Sequence, residues 1–346
     1  MVTSMFPGAT ASELIDGISV IRVKSGVRPA RMLRNFLVYR RKFVGRVDVV
    51  LEEAEGPQGP FFLRLFVKEP IVLLWYQLGR KIFLGQFGPI LGRALSLLDY
   101  AYARLYRSSV IAVLSVSSAR EISKVSPGSK KIVLHPGLPD PEAPLSLPER
   151  GNRRGIGGFY LLTINKFRRY KAFEHAIQAF GMVATEFPDL KLVLGGVRED
   201  MKYEEELINL GNRVAPGRVF VLPDLSVDEK DELLRGAYAF VLPSPIEGFS
   251  VATLEALSRG TPAIVTDGVP EDLIIDGVNG LRFRFGNLVE LAERYRYLLH
   301  NPSVRERLSV GARETAEGFS WDGSSSTLLT SLEALSGQTK ADSERH

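Results

Sequence analysis

Ala239-Phe240-Val241-Leu242-Pro243-Ser244-Pro245-Ile246-Glu247-Gly248-Phe249-Ser250-Val251-Ala252-Thr253-Leu254-Glu255-Ala256-Leu257-Ser258-Arg259-Gly260 decides the fold. Its first four residues form an apolar run of the kind a strand shows when both faces of its sheet are covered. From Ser250 to Arg259 the pattern predicts a helix, so the stretch is one strand, loop and helix unit of an α/β sheet. Ligands of open parallel sheets sit beyond the carboxyl ends of the strands, which puts the Pro243–Phe249 loop where a substrate would lie. Gly248 lets the backbone come close to it. The amides of Phe249, Ser250 and Val251 are the unpaired donors of a helix N-terminus, a ready site for phosphate. Glu247 and Glu255 stand beside this cradle. Two carboxylates would repel an anion unless each accepts hydroxyl hydrogen bonds, so the ligand should carry both phosphate and hydroxyls. A nucleotide sugar fits, with one carboxylate facing the sugar ring and the other the ribose.

Outward from this unit the same rhythm continues. Apolar runs at Phe159–Ile164, Leu190–Leu194, Val219–Leu222 and Pro262–Val265 alternate with helical patterns near Lys171–Phe187, Met201–Asn212 and Asp228–Gly236, as a parallel sheet with crossover helices requires. Ser226 and Glu229 have the spacing of a capping box. Upstream, strand-like runs at Ile18–Val23, Val47–Leu51, Ile71–Trp75, Ile111–Val116 and Ile132–His135 imply a second, less regular α/β unit. Pro136–Arg154 contains five prolines and reads as an interdomain linker. The expected division is a first domain over 1–138, a linker at 139–154, a second domain over 155–322, a crossover helix at 323–336 and a disordered tail at 337–346. A length of 346 residues agrees with two domains of roughly 150 each.

Composition narrows the chemistry. The chain has no cysteine, which excludes disulfides, thiolate catalysis and cysteine-ligated metals. Its four histidines lack ligand spacing, so no zinc site is expected. Arg64, Lys68, Glu69 and Pro70 interrupt the most apolar stretch, Phe61–Leu78, which rules it out as a membrane span. A cytoplasmic protein is expected. The net charge of +4 conceals an asymmetry: residues 1–150 carry 21 Lys and Arg against 12 Asp and Glu, or +9, and the remainder carry 23 against 28, or −5. A basic first half could face a membrane surface or a phosphorylated acceptor, or could be only a solvated basic face. Arg31–Arg46 mixes cations with large apolar residues, as interfacial helices do and as a core helix with a basic outer face also does. This gives an expected peripheral contact at the inner membrane face. No nucleic-acid partner is expected.

The run Pro-Ser-x-x-Glu-Gly-Phe-Ser-x-x-x-Leu-Glu-Ala-Leu-Ser-x-Gly-Thr-Pro, with Glu247 and Glu255 inside it, resembles the donor-site signature of the family 4 glycosyltransferases, the group 1 glycosyl transferases. Asn165-Lys166-Phe167-Arg168-Arg169-Tyr170-Lys171, after a predicted strand, resembles a second element of that family, whose Arg and Lys hold the donor diphosphate. Lys166 stands at the Arg position and Lys171 at the Lys position. The Asn-Lys-Phe variant is similar to the mannosyltransferase branch and suggests GDP-mannose. The resemblance implies a GT-B architecture, two Rossmann-like domains facing a cleft, and transfer with retention of anomeric configuration. It implies that Glu247, Lys166 and Lys171 act at the reacting centre. Asn165, Gly196, Pro223, Gly248, Phe249, Ser250, Val251 and Glu255 would line the donor site, with the segment around Pro223 reading the base edge through its backbone. No Asp-x-Asp motif occurs; Lys166, Lys171 and the helix N-terminus would then neutralise the leaving diphosphate without a metal. No cofactor is implied.

The resemblance runs over about Ile111–Leu335 and thins before it. The opening strand, Gly-rich loop and helix of the first domain are not recognisable, so that domain is expected to be truncated. Tyr76 stands where the family often has a sugar-contacting His, although a core position would also suit it. The partners implied are a nucleotide-sugar donor and a glycan or lipid-linked acceptor. Two other readings fit the same residues: a sugar-nucleotide epimerase or phosphorylase of the same fold, and a non-catalytic protein that binds a nucleotide sugar or partners another transferase.

Overall fold

The computed structural model describes residues 1–4, 6, 8–23, 36–54, 63–138, 156 and 158–343. The expected linker at 139–154, residues 31–35 of the basic segment and residues 344–346 of the expected tail lie outside the described residues.

The chain opens with strands β1 (Val2–Ser4), β2 (Ser12–Ile15) and β3 (Ile18–Val23), ordered β1-β3-β2. Asp16 and Gly17 both have positive φ, 49° and 79°. That geometry makes a tight two-residue turn matched to strand twist, and β3 folds back antiparallel on β2. Ile18–Val23, expected in the first α/β unit, therefore belongs to a small sheet of its own.

The second sheet contains β4 (Val50–Glu53), β5 (Ile71–Leu74), β6 (Val110–Val113) and β7 (Lys130–Val133), all parallel and side by side in chain order. Helix α1 (Arg80–Leu105) connects β5 to β6 and kinks at Gly88, whose φ is 74°. Helix α2 (Val116–Val125) connects β6 to β7. The strand expected over Ile111–Val116 stops at Val113 because Ser115 caps α2, its side chain accepting from the Ser118 amide at 3.0 Å.

The third sheet contains β8 (Tyr160–Ile164), β9 (Lys191–Gly196), β10 (Val219–Pro223), β11 (Ala239–Leu242), β12 (Ala263–Thr266) and β13 (Gly280–Phe283). Helices α3 (Phe173–Gly181), α4 (Met201–Val214), α5 (Val227–Gly236) and α6 (Val251–Ser258) connect the first five strands. The capping box of Ser226 and Glu229 starts α5. All six strands are parallel, in the order β10-β9-β8-β11-β12-β13. Counted within this sheet the order is 3-2-1-4-5-6, the Rossmann order, and its switch point lies between β8 and β11. The strand side chains alternate between two cores. Leu161, Leu192, Leu194, Val241 and Ile264 enter one; Leu162, Val193, Phe240, Leu242 and Val265 enter the other. Covering on both faces is what makes these strands read as unbroken apolar runs.

Helices α7 (Leu288–His300), α8 (Pro302–Glu317) and α9 (Trp321–Ser343) complete the chain. The last, placed at 323–336 from the sequence, continues to Ser343. Leu328, Leu332 and Leu335, one helical stripe, pack against Val72, Val110, Ala112, Ile132 and Leu134 on a face of the β4–β7 sheet.

Candidate active site

The switch point brings the carboxyl ends of β8 and β11 together. Past β8 the chain makes a tight turn at Arg169–Lys171, Ala172 takes a left-handed conformation (φ 54°) and α3 starts at Phe173. The helix expected over Lys171–Phe187 is thus shorter, and Lys171 sits on the turn before it. Phe167 and Phe173, both fully buried, stack with centroids 4.9 Å apart and fix this turn to the core. Past β11 the Pro243–Phe249 loop is pinned from behind: Thr266 Oγ1 donates to the Ser244 carbonyl, and the Glu247 amide donates to the Gly268 carbonyl at 3.0 Å.

These two loops bring Asn165, Lys171 and Glu247 together. Lys171 Nζ lies 2.8 Å from Glu247 Oε1, with side-chain exposures of only 9% and 11%. Asn165 Nδ2 donates to the same oxygen at 3.5 Å. Gly196 makes the position of Asn165 possible: its φ is 145°, and a Cβ there would lie 1.6 Å from the Asn165 carbonyl oxygen. Pro223 lies opposite Gly196 in the register of β10 and β9, and the Asp224 amide donates back to the Gly196 carbonyl at 2.6 Å.

Other expected residues lie apart from this group. Lys166 Nζ is 3.4 Å from Glu199, on a side chain 56% exposed, rather than beside Lys171. Glu255 is paired with Lys230 on α5 at 2.6 Å. The Phe249 ring is buried between His135 (centroids 6.0 Å) and Phe319 (5.4 Å), which leaves its backbone rather than its ring to face a ligand. Ser250 caps α6 and accepts from the Thr253 amide at 3.3 Å. The Val251 and Ala252 amides keep no partner inside the helix.

Gly248 touches the other half of the molecule. A Cβ on it would lie 2.7 Å from the Tyr76 carbonyl oxygen, and its own carbonyl accepts from Ser118 Oγ at 3.3 Å. Tyr76 is half-buried at this boundary, and its hydroxyl donates to Glu53 Oε1 at 2.6 Å. The carbonyl oxygen of the neighbouring Gln77 side chain is buried with no hydrogen-bond partner among the described residues.

The chain is similar to known proteins in sequence and in fold. Residues 152–315 match the family model described as glycosyl transferases group 1. Residues 152–315, just under half of the chain, are thus similar to the group 1 glycosyl transferases. The chain is 31% identical over 163 residues to a poly(glycerol-phosphate) alpha-glucosyltransferase of Bacillus subtilis, covering 45% of this chain and 23% of that protein. It is 29% identical over 195 residues to a D-inositol 3-phosphate glycosyltransferase of Actinosynnema mirum, covering 52% and 46%. The matched region is less than half the length of either relative. Among solved structures, sucrose-phosphate synthase from Thermosynechococcus elongatus superimposes with a TM-score of 0.78 at 18% identity, over 98% of this chain and 88% of the other. Anabaena HepE in complex with UDP-glucose gives 0.73 at 15%, over 92% and 86%. The fold of the chain is GT-B.

One boundary contact was not legible in the motifs. Asp272 Oδ2 accepts from the Val116 amide at the start of α2 at 2.9 Å and lies 2.9 Å from His135 Nε2. Burial pushes the Asp272 carboxyl up, but its hydrogen bonds with His135 and Val116 outweigh burial and hold it below the usual carboxylate range. The one available signal was the position of His135 at the end of a first-half strand, immediately before the proline-rich segment.

Proposed function

We propose that this chain transfers a sugar from a nucleotide-sugar donor, held at the carboxyl ends of β8 and β11, to a glycan or lipid-linked acceptor on the first-domain side of the cleft. The observation that carries this is the shielded Lys171–Glu247 pair at the switch point of the six-stranded sheet. An ammonium has three donors. One lies on Glu247, and the others can turn to the oxygens of a diphosphate, with the centroid of the Tyr170 ring 4.8 Å from the ammonium. As the bond from the anomeric carbon to the diphosphate breaks, charge grows on the leaving oxygens, where Lys171 and the N-terminus of α6 stabilise it. Glu247 accepts from a donor-sugar hydroxyl, and Glu255 keeps an oxygen for the ribose beside Lys230. Lys166 joins the diphosphate by leaving Glu199.

The donor class is supported by the UDP-glucose complex of HepE, and the Asn165-Lys166-Phe167 variant favours GDP-mannose. Retention of configuration, independence from metal, membership of family 4 and a cytoplasmic site of action belong to the same proposal. So does a division into domains 1–138 and 155–322. Donor binding by calorimetry and turnover with a panel of acceptors test it. Glu247→Ala and Lys171→Ala are expected to lose donor turnover against an active parent; unchanged rates in both would refute the assignment.

A further inference from the structure

Helix α1 is amphipathic in an unusual sense, because its outward face is apolar as well as its inward one. Beyond the kink, Gly92, Ser96, Tyr102 and Ala103 face the core. On the opposite side Ile90, Ala94, Leu97 and Ala101 follow one another at spacings of four, three and four residues, all exposed. That spacing forms one stripe along a helix. Ile90 is 85% and Leu97 69% exposed, and Leu98 widens the stripe on one side. Singly exposed apolar residues need no explanation, but a contiguous stripe of them does.

The charges around the stripe have one sign. Arg93 and Arg104 flank it, and Arg80 and Lys81 stand at the start of the helix, all exposed. Asp99, the one carboxylate in α1, turns inward and accepts from the Gly79 amide at 2.7 Å. Its burial raises it to about 6. An apolar stripe edged by cations, with the acid withdrawn, complements a surface that is apolar within and anionic at its boundary. The +9 of residues 1–150 extends the same sign beyond the helix. No helix among the described residues is long and apolar enough to cross a membrane, so α1 would lie on such a surface.

We propose that the outward face of α1 docks onto an anionic lipid surface, with Ile90, Leu97 and Leu98 entering the acyl boundary and Arg93 and Arg104 resting on headgroup phosphates. This moves the membrane contact from the Arg31–Arg46 segment to α1, and it stands whether or not the donor site is correctly assigned. The test is cosedimentation of the full chain with vesicles of phosphatidylglycerol and phosphatidylcholine, against vesicles of phosphatidylcholine alone. The parent should bind the anionic vesicles more tightly, and less so as salt is added. Ile90→Gln with Leu97→Gln should weaken that binding about tenfold, equivalent to ~1.4 kcal/mol, and Arg93→Gln with Arg104→Gln should reduce the salt dependence. Donor affinity, read by calorimetry on the same variants, should stay at the parental value, which separates this test from that of the donor site. Absence of binding by the parent, or equal binding by parent and the Ile90/Leu97 variant, overturns the proposal. So does sedimentation velocity showing that the stripe holds two copies of the chain together instead.

Discussion

Replacing Gly248 with alanine inserts one methyl group between the two halves of the molecule. The new Cβ would stand 2.7 Å from the Tyr76 carbonyl oxygen, 3.2 Å from its carbon and 3.3 Å from Gln77 Oε1. Ordinary contact begins at 3.4 Å, so the loop must retreat by 3.4 − 2.7 = 0.7 Å, or the first half must move away by as much. Gly248 is not among the glycines at positive φ, and alanine meets no backbone strain there. The cost therefore falls on closure of the cleft rather than on the fold. The preceding residue is Glu247, and a displacement near 1 Å at a reacting centre costs about a hundredfold in rate. A fall of about ten- to a hundredfold in kcat/KM is expected, equivalent to ~1.4–2.7 kcal/mol, while Tm moves by no more than about 4 °C. Donor-dependent turnover, with circular dichroism melts on the same samples, measures both. Parental kcat/KM at unchanged Tm would show that the contact between Gly248 and Tyr76 is no part of the reacting geometry.

Gly196→Ala meets both backbone strain and a collision 1.6 Å from Asn165, so urea unfolding should show a loss of about 2–6 kcal/mol; a loss below ~1 kcal/mol would contradict the geometry. Lys171→Met strands the shielded Glu247 carboxylate and should cost about 3–5 kcal/mol of stability. The double variant Lys171→Met with Glu247→Gln should recover most of that loss yet bind no donor, and a calorimetric titration that still detects donor would rule the pair out of the site. The Asp272 carboxyl is depressed in the folded state, so its contribution is present above its unfolded value of about 3.9 and disappears as pH falls through the lower folded value. Asp272→Asn should cost about 1–3 kcal/mol at neutral pH, with the gap to the parent closing in acid unfolding below about pH 4; a gap that stays constant would refute the linkage.

The second half of the chain was readable because parallel strands covered on both faces must be apolar throughout, and Val219–Leu222 and Ala239–Leu242 stand at their observed positions almost to the residue. The first half hid more. Val2–Ser4 has three residues, too few to show any period, and it pairs in parallel with Ile18–Val23, which a backbone turn at Asp16 and Gly17 folds back on Ser12–Ile15. Helix α1 was not anticipated, since Gly85, Gly88, Pro89 and Gly92 break its pattern and its two faces are both apolar. In the candidate site, Lys171 and Glu247 could be picked out because each sits in a local run of recognisable form. That Lys166 turns to Glu199, and that His135 meets Asp272 across 137 residues, are consequences of three-dimensional placement which no local run encodes.

The stripe of Leu328, Leu332 and Leu335 on the β4–β7 sheet also bears on the order of synthesis. Residues 50–133, which supply that sheet, leave the ribosome long before these leucines do. Until they arrive, the face made by Val72, Val110, Ala112, Ile132 and Leu134 lacks part of its cover, while the six-stranded sheet between them in sequence can already close its own cores. The half made first is thus finished last, and a nascent chain interrupted before Leu328 would display an adhesive apolar face that the complete chain conceals.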